Sequence, residues 1–119
     1  MNKLKITTGA FLVTSLMIGS NAGAVSTGIL NTHYGIGALY SNTTGSRNTA
    51  FGESAIYSNT TGSRNTATGQ AALYSNTTGI SNTANGVGAL DLNTTGSYNT
   101  ANGDSALYSN TTGSCRNQC

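Results

Sequence analysis

The sequence predicts an all-β fold, a β-solenoid in which short strands stack as a parallel β-roll. Three observations carry this expectation. Gly35, Gly52, Gly69, Gly86 and Gly103 stand at one spacing, 17 residues, with no insertion between them. Within that period Ala38, Ala55, Ala72, Ala89 and Ala106 never vary, and the residue after each is always Leu or Ile. An Asn-Thr-Thr-Gly string recurs once in every unit. A fixed period in this range marks a solenoid or array, because one unit cannot bury its apolar side without its neighbours.

The first segment, residues 1–24, reads as an export signal. Lys3 and Lys5 form a positive head, Ile6 to Gly19 is uncharged and mostly apolar, and Ala22-Gly23-Ala24 supplies a small-residue cleavage pattern. The apolar run falls short of the roughly 20 residues a spanning helix needs. Cleavage after Ala24 removes both lysines. Arg47, Arg64 and Arg116 then balance Glu53, Asp91 and Asp104, so the +2 of the whole chain falls to zero. Nucleic-acid binding needs a concentrated cationic surface, which the mature chain lacks. It also keeps no span for a membrane.

Residues 25–34 read as a partial opening coil. The full units run over 35–51, 52–68, 69–85 and 86–102, with a last one at 103–114. Constant rows belong inside: the alanines above, the aliphatics Leu39, Ile56, Leu73, Leu90 and Leu107, and the row Ala50, Ala67, Ala84 and Ala101. Small residues suit a thin core. Variable positions belong outside, as at Phe51, Thr68, Asn85 and Asn102, or at Arg47, Arg64, Ser81, Tyr98 and Cys115.

The corners have their own chemistry. Asn makes local backbone hydrogen bonds and Gly supplies positive φ, so Asn42 to Gly45 and its equivalents predict tight turns. Between them, short Thr- and Tyr-rich strands are expected. Gly recurs too often for a helix, and the chain has no proline, which a continuous ladder would exclude. Stacked coils put like residues about 4.8 Å apart. Asn42, Asn59, Asn76, Asn93 and Asn110 are therefore expected to form one amide ladder, and Asn48, Asn65, Asn82 and Asn99 another.

The string Asn-Thr-Ala-x-Gly-x-x-Ala-Leu, as at Asn65 to Leu73, resembles the head repeats of YadA-like trimeric autotransporter adhesins. It also resembles the Asn-Thr-Ala-x-Gly repeats of bacterial surface and phage tail-fibre-like proteins. The resemblance covers nearly all of residues 31–114. It implies a left-handed roll, assembled as a homotrimer, that displays an adhesive surface, and it implies no cofactor. The adhesin heads use a shorter unit with Val and Ile where this chain has Thr and Ala. At residues 115–119 the repeat loses its register in a Cys-containing tail.

No catalytic constellation is expected. Glu53 and Asp104 share a repeat position three coils apart, about 14 Å, too far for a glycosidase pair. Asp91 replaces a Tyr, and His33 has no partner for a triad or a zinc site. All four read as surface residues. Cys115 and Cys119, in an exported chain, are expected to oxidise, with each other or between chains. Tyr40, Tyr57, Tyr74 and Tyr108 form an interrupted aromatic row, either a packing ladder or a platform for glycans or host surfaces. Asn-Thr-Thr also matches the glycosylation sequon, although the turn needs Asn in any case.

Two functions follow. One is a secreted or cell-surface structural and adhesive module that grips host or abiotic surfaces, glycans included, through repeated weak contacts. The other is an ice-binding solenoid using the Thr43, Thr60, Thr77, Thr94 and Thr111 ladder and its neighbour row Thr44, Thr61, Thr78, Thr95 and Thr112; in a strand, however, adjacent rows would face opposite ways. Neither is an enzyme. Mass spectrometry of the protein exported by a bacterial host should give the mass of Val25–Cys119; an intact N-terminus would contradict the export signal.

Overall fold

The computed structural model of the chain describes residues 28–115. The expected signal peptide, the start of the partial coil and Cys119 lie outside the described residues. Five strands, one per coil, form a single parallel sheet in chain order: β1 (Thr32–Tyr34), β2 (Thr49–Phe51), β3 (Thr66–Thr68), β4 (Thr83–Asn85) and β5 (Thr100–Asn102). Each residue pairs with its equivalent in the next coil, as Ala50 with Ala67 and Ala67 with Ala84. The described residues contain no helix. This is the β-solenoid that the period predicts.

Each strand reads Thr-Ala-x from β2 onward. The central Ala points inward and is fully buried, while the flanking residues face out. That is the period-2 alternation of an extended chain, with β-branched Thr on the outer face. Apart from Tyr34 at the end of β1, the strands hold no tyrosine: Tyr40, Tyr57, Tyr74 and Tyr108 lie in turn segments, a correction to the expected strand composition. A strand ends after three residues because Gly35, Gly52, Gly69, Gly86 and Gly103 take φ between 121° and 138°. This conformation is readily open only to glycine. Where another coil follows, a Cβ would also run into the carbonyl of the next glycine in the row.

The chain then turns through overlapping corners. In the first full coil, Ala38 N–H donates to Gly35 O, Tyr40 N–H to Gly37 O and Asn42 N–H to Leu39 O, each at 3.2 Å. The third residue of the first two corners has positive φ, 74° at Gly37 and 54° at Leu39, as a type II turn requires. The equivalents include Ser54, Ala71 and Ser105 in one row, and Ile56, Leu73, Leu90 and Leu107 in the other. Positive φ is a genuine outlier for a β-branched residue such as Ile56.

Burial and cross-coil bonding hold that strain. Leu39 N–H donates to Ala55 O at 3.0 Å and Ile56 N–H to Ala72 O at 2.9 Å, while Ile56, Leu73 and Leu90 are wholly enclosed. Strain of this kind costs about 1–3 kcal/mol per residue. Burying a Leu or Ile side chain returns about 1.5–3 kcal/mol, before the ladder bonds are counted. The two sides nearly balance, so a covered coil holds the strained corner at little net cost; Leu107 in the uncovered last coil keeps the same conformation, at φ 50°.

The ends of the stack show what covering does. Leu107, in the last coil, is 51 % exposed although its equivalents are buried. At the other end His33 occupies the inward Ala row, paired with Ala50. Expected on the surface, it is half-buried instead, and desolvation holds its imidazole below the ordinary histidine pKa. Its neutral form is therefore favoured in the folded chain.

Truncating Leu73 to Ala should destabilise the fold by about 2–5 kcal/mol, the range for a buried aliphatic. Leu107→Ala should cost no more than about 0.5 kcal/mol, as at an exposed site. Denaturant unfolding followed by circular dichroism compares the two, and equal costs would contradict the burial pattern.

Candidate functional surface

The interior has an amide half as well as an apolar one. Asn42, Asn48, Asn59, Asn65, Asn76, Asn82 and Asn93 are almost completely buried. One row is a true amide ladder: Nδ2 of Asn59, Asn76, Asn93 and Asn110 donates to Oδ1 of the asparagine one coil earlier, at 2.6, 2.8, 3.0 and 2.9 Å. The second row is bonded differently from the expected amide-to-amide ladder. Asn65 backbone N–H donates to Asn48 Oδ1 at 3.0 Å, and Asn82 and Asn99 repeat the pattern. Asn31, from the partial coil, starts this row by accepting from Asn48 N–H at 2.8 Å.

A glycine carbonyl joins the two rows. Gly62 O accepts from Asn48 Nδ2 at 2.8 Å and from Asn59 Nδ2 at 2.9 Å, and Gly45, Gly79, Gly96 and Gly113 repeat this node. Among the described residues no buried side-chain polar atom lacks a partner. These glycines do not have the positive φ expected of the corner. They are glycine for lack of space, since a Cβ on Gly79 would collide with Asn76 Oδ1 and Gly96 O. Burial also closes four of the five sequons, because the Asn42, Asn59, Asn76 and Asn93 side chains are inside the folded coil, whereas Asn110 is only part-buried.

The outer surface carries the candidate residues. Tyr40, Tyr57 and Tyr74 form a continuous stack, with ring centroids 5.1 Å apart at each step and interplanar angles of 5° and 10°. Register puts Asp91 in the next place and Tyr108 beyond it: Ser75 N–H donates to Asp91 O, and Leu92 N–H to Tyr108 O. The stack buries ring faces against ring faces along its length. Partial burial raises the Asp91 carboxyl pKa through desolvation. Glu53 and Asp104 are exposed, and Gln70 Nε2 donates to Glu53 Oε2 at 3.3 Å.

The threonine rows behave differently from free surface hydroxyls. Thr43, Thr60, Thr77 and Thr94 each donate Oγ1–H to the carbonyl of the next threonine in the row, at 2.8, 3.0, 3.1 and 3.1 Å. Thr60 O also accepts from the N–H groups of Thr43, Thr44 and Gly45. These hydroxyl protons are spent within the coil stack. Neither Thr43 nor Thr44 lies in a strand, so the opposite-face expectation for adjacent rows does not apply. Thr44, Thr61, Thr78, Thr95 and Thr112 are exposed at the corner.

Sequence reasoning missed one outward row. Thr32, Thr49, Thr66, Thr83 and Thr100 align along the sheet beside Tyr34, Phe51, Thr68, Asn85 and Asn102. The signal was present in the repeating Thr before each inward Ala, two places from a variable residue. In the second row Asn85 Nδ2 donates to Asn102 Oδ1 at 3.0 Å.

Cys115 is disulfide-bonded; the chain's other cysteine is Cys119. Among the described residues, no three of His, Cys, Asp or Glu gather where they could hold a metal ion. Comparison with known protein families, characterised proteins and solved structures found no match.

Identical chemistry at two glycines should give opposite results. Gly79→Ala should cost more than about 2 kcal/mol, since its Cβ collides with the amide node. Gly88 shares a row with Ala71, which already takes φ of 55°, and a Cβ there finds ordinary contacts of 3.6 Å and longer. Gly88→Ala should change stability by about 1 kcal/mol or less. Thermal melts of the two variants check this, and a tolerated Gly79→Ala would disprove the steric account of the node.

Proposed function

We propose that this chain is a secreted or cell-surface structural module, non-enzymatic, that adheres to other surfaces through repeated weak contacts. One observation carries the reading: outward side chains recur in register over an interior that does not change. The rows at Tyr34, Phe51, Thr68, Asn85 and Asn102, and at Arg47, Arg64, Ser81 and Tyr98, differ in side chain from coil to coil while the buried rows stay constant. Each contact is weak, and linking several on one rigid body raises the effective concentration for the next. The partners best suited to such a surface are themselves repetitive, either glycans or an abiotic solid.

The assembly proposed is a homotrimer. Ile36 is 73 % exposed, and Tyr34, Val87 and Phe51 are also open to solvent, which a single thin coil stack leaves uncovered. Joining chains would cover part of this apolar surface, while Glu53 and Asp104, in the same row as Ile36 and Val87, would have to stay at a solvated rim; small domains often need that added burial. Commitment of the Thr43-row hydroxyls to the carbonyl ladder counts against the ice-binding alternative.

Light scattering on the purified exported protein, with and without reductant, should give three times the chain mass in both conditions. A monomer would overturn the trimer. In a parallel assay, retention on immobilised polysaccharide and on bare solids should rise steeply with the number of coils; no retention on either would overturn the adhesive reading.

A further inference from the structure

The tyrosine stack has a gap with a charge in it. Neighbouring rings stand 5.1 Å apart, so two coil steps separate the faces of Tyr74 and Tyr108 by about 10 Å. Asp91 occupies the intervening place with a much smaller side chain, and its backbone keeps the coil register on both sides. Tyr108 is seated as Tyr57 is: the ring of each lies over a bare glycine one coil earlier, Gly88 and Gly37 respectively. Among the described residues no hydrogen bond or ion pair engages the Asp91 carboxylate.

We propose that this notch, walled by Tyr74 and Tyr108 with Asp91 at its base, binds a quaternary ammonium group. The spacing selects the shape of the guest. A cation midway sits about 5 Å from each ring centroid, inside the roughly 6 Å reach of a cation–π contact. A flat guanidinium touches a ring at about 3.5–4.0 Å, so contact with both faces needs walls only about 7 Å apart. A tetrahedral ammonium with its methyl groups spans the wider gap, and the carboxylate supplies its counter-charge. Elsewhere the stack offers no such place, because Tyr40, Tyr57 and Tyr74 cover one another. The notch requires neither a trimer nor an adhesive role, so it stands or falls separately from the function proposed above.

Calorimetric titration of the intact protein at low salt tests it, with tetramethylammonium chloride as probe and guanidinium chloride at equal concentration as comparison. Saturable binding of tetramethylammonium, tighter than guanidinium, is expected. Asp91→Tyr gives this coil the residue its sister coils carry, closes the gap and should abolish binding without loss of fold. Tyr108→Leu should weaken binding by about two- to fivefold, the worth of one cation–π wall, whereas Tyr40→Leu, at the far end, should leave it unchanged. Absence of saturable binding, preference for guanidinium, or full binding by Asp91→Tyr would each overturn the proposal. Phosphatidylcholine vesicles distinguish the source: retention competed by tetramethylammonium assigns the group to a lipid headgroup, and binding of free choline alone assigns it to a solute.

Discussion

The hydrogen bond between buried asparagine amides is the contact on which the coil stack depends. Each amide of the Asn59 row donates to the coil before it and to the glycine carbonyl of its own corner, while its oxygen serves the coil after it. A buried amide left unpaired costs about 1–3 kcal/mol, so a coil that misplaced one would weaken two interfaces together. That penalty explains the strict spacing. A single inserted residue between Gly35 and Gly103 would carry both asparagine rows past their partners. It also explains why the corner glycine tolerates no side chain, since its carbonyl must be reached by two amides at once.

Around this polar spine the apolar contribution is modest. The inward residues are mostly alanine, with one Leu or Ile per coil, and that larger residue sits in a strained left-handed conformation. No coil is then stable by itself. Each gains its Leu burial, its backbone ladder and its amide bonds only from the neighbour, which is the nearest-neighbour cooperativity of a one-dimensional repeat. The exposed Leu107 and the half-buried His33 are the two ends of that dependence, one left uncovered and the other covering the alanine row with a polar ring.

Much of this was legible before the fold was known. The period, the inward alanine and aliphatic rows and the existence of asparagine ladders all follow from which positions stay constant. Constancy alone does not say why a residue is constant. The letters point to Gly45 and its equivalents as left-handed turn residues, but steric exclusion explains them, and the left-handed positions include Leu39, Ile56 and Arg47, which no propensity rule selects. The second asparagine row uses backbone donors, a distinction invisible in letters because both rows spell Asn. The tyrosine row was visible as an interrupted pattern; its stacking, and the notch at Asp91, required the register to be known.

The exact one-coil register has a genetic consequence. The backbone ladder and the buried asparagine bonds join each coil to the next at positions every unit repeats, so deleting or duplicating a whole unit in frame leaves these bonds with partners. Nearly identical units in a gene invite unequal recombination, which adds and removes copies in just such steps. Length is thus a trait this fold can change without passing through a misfolded intermediate. Losing the unit that carries Asp91 would also bring Tyr74 and Tyr108 together, converting an interrupted stack into a continuous one in a single event.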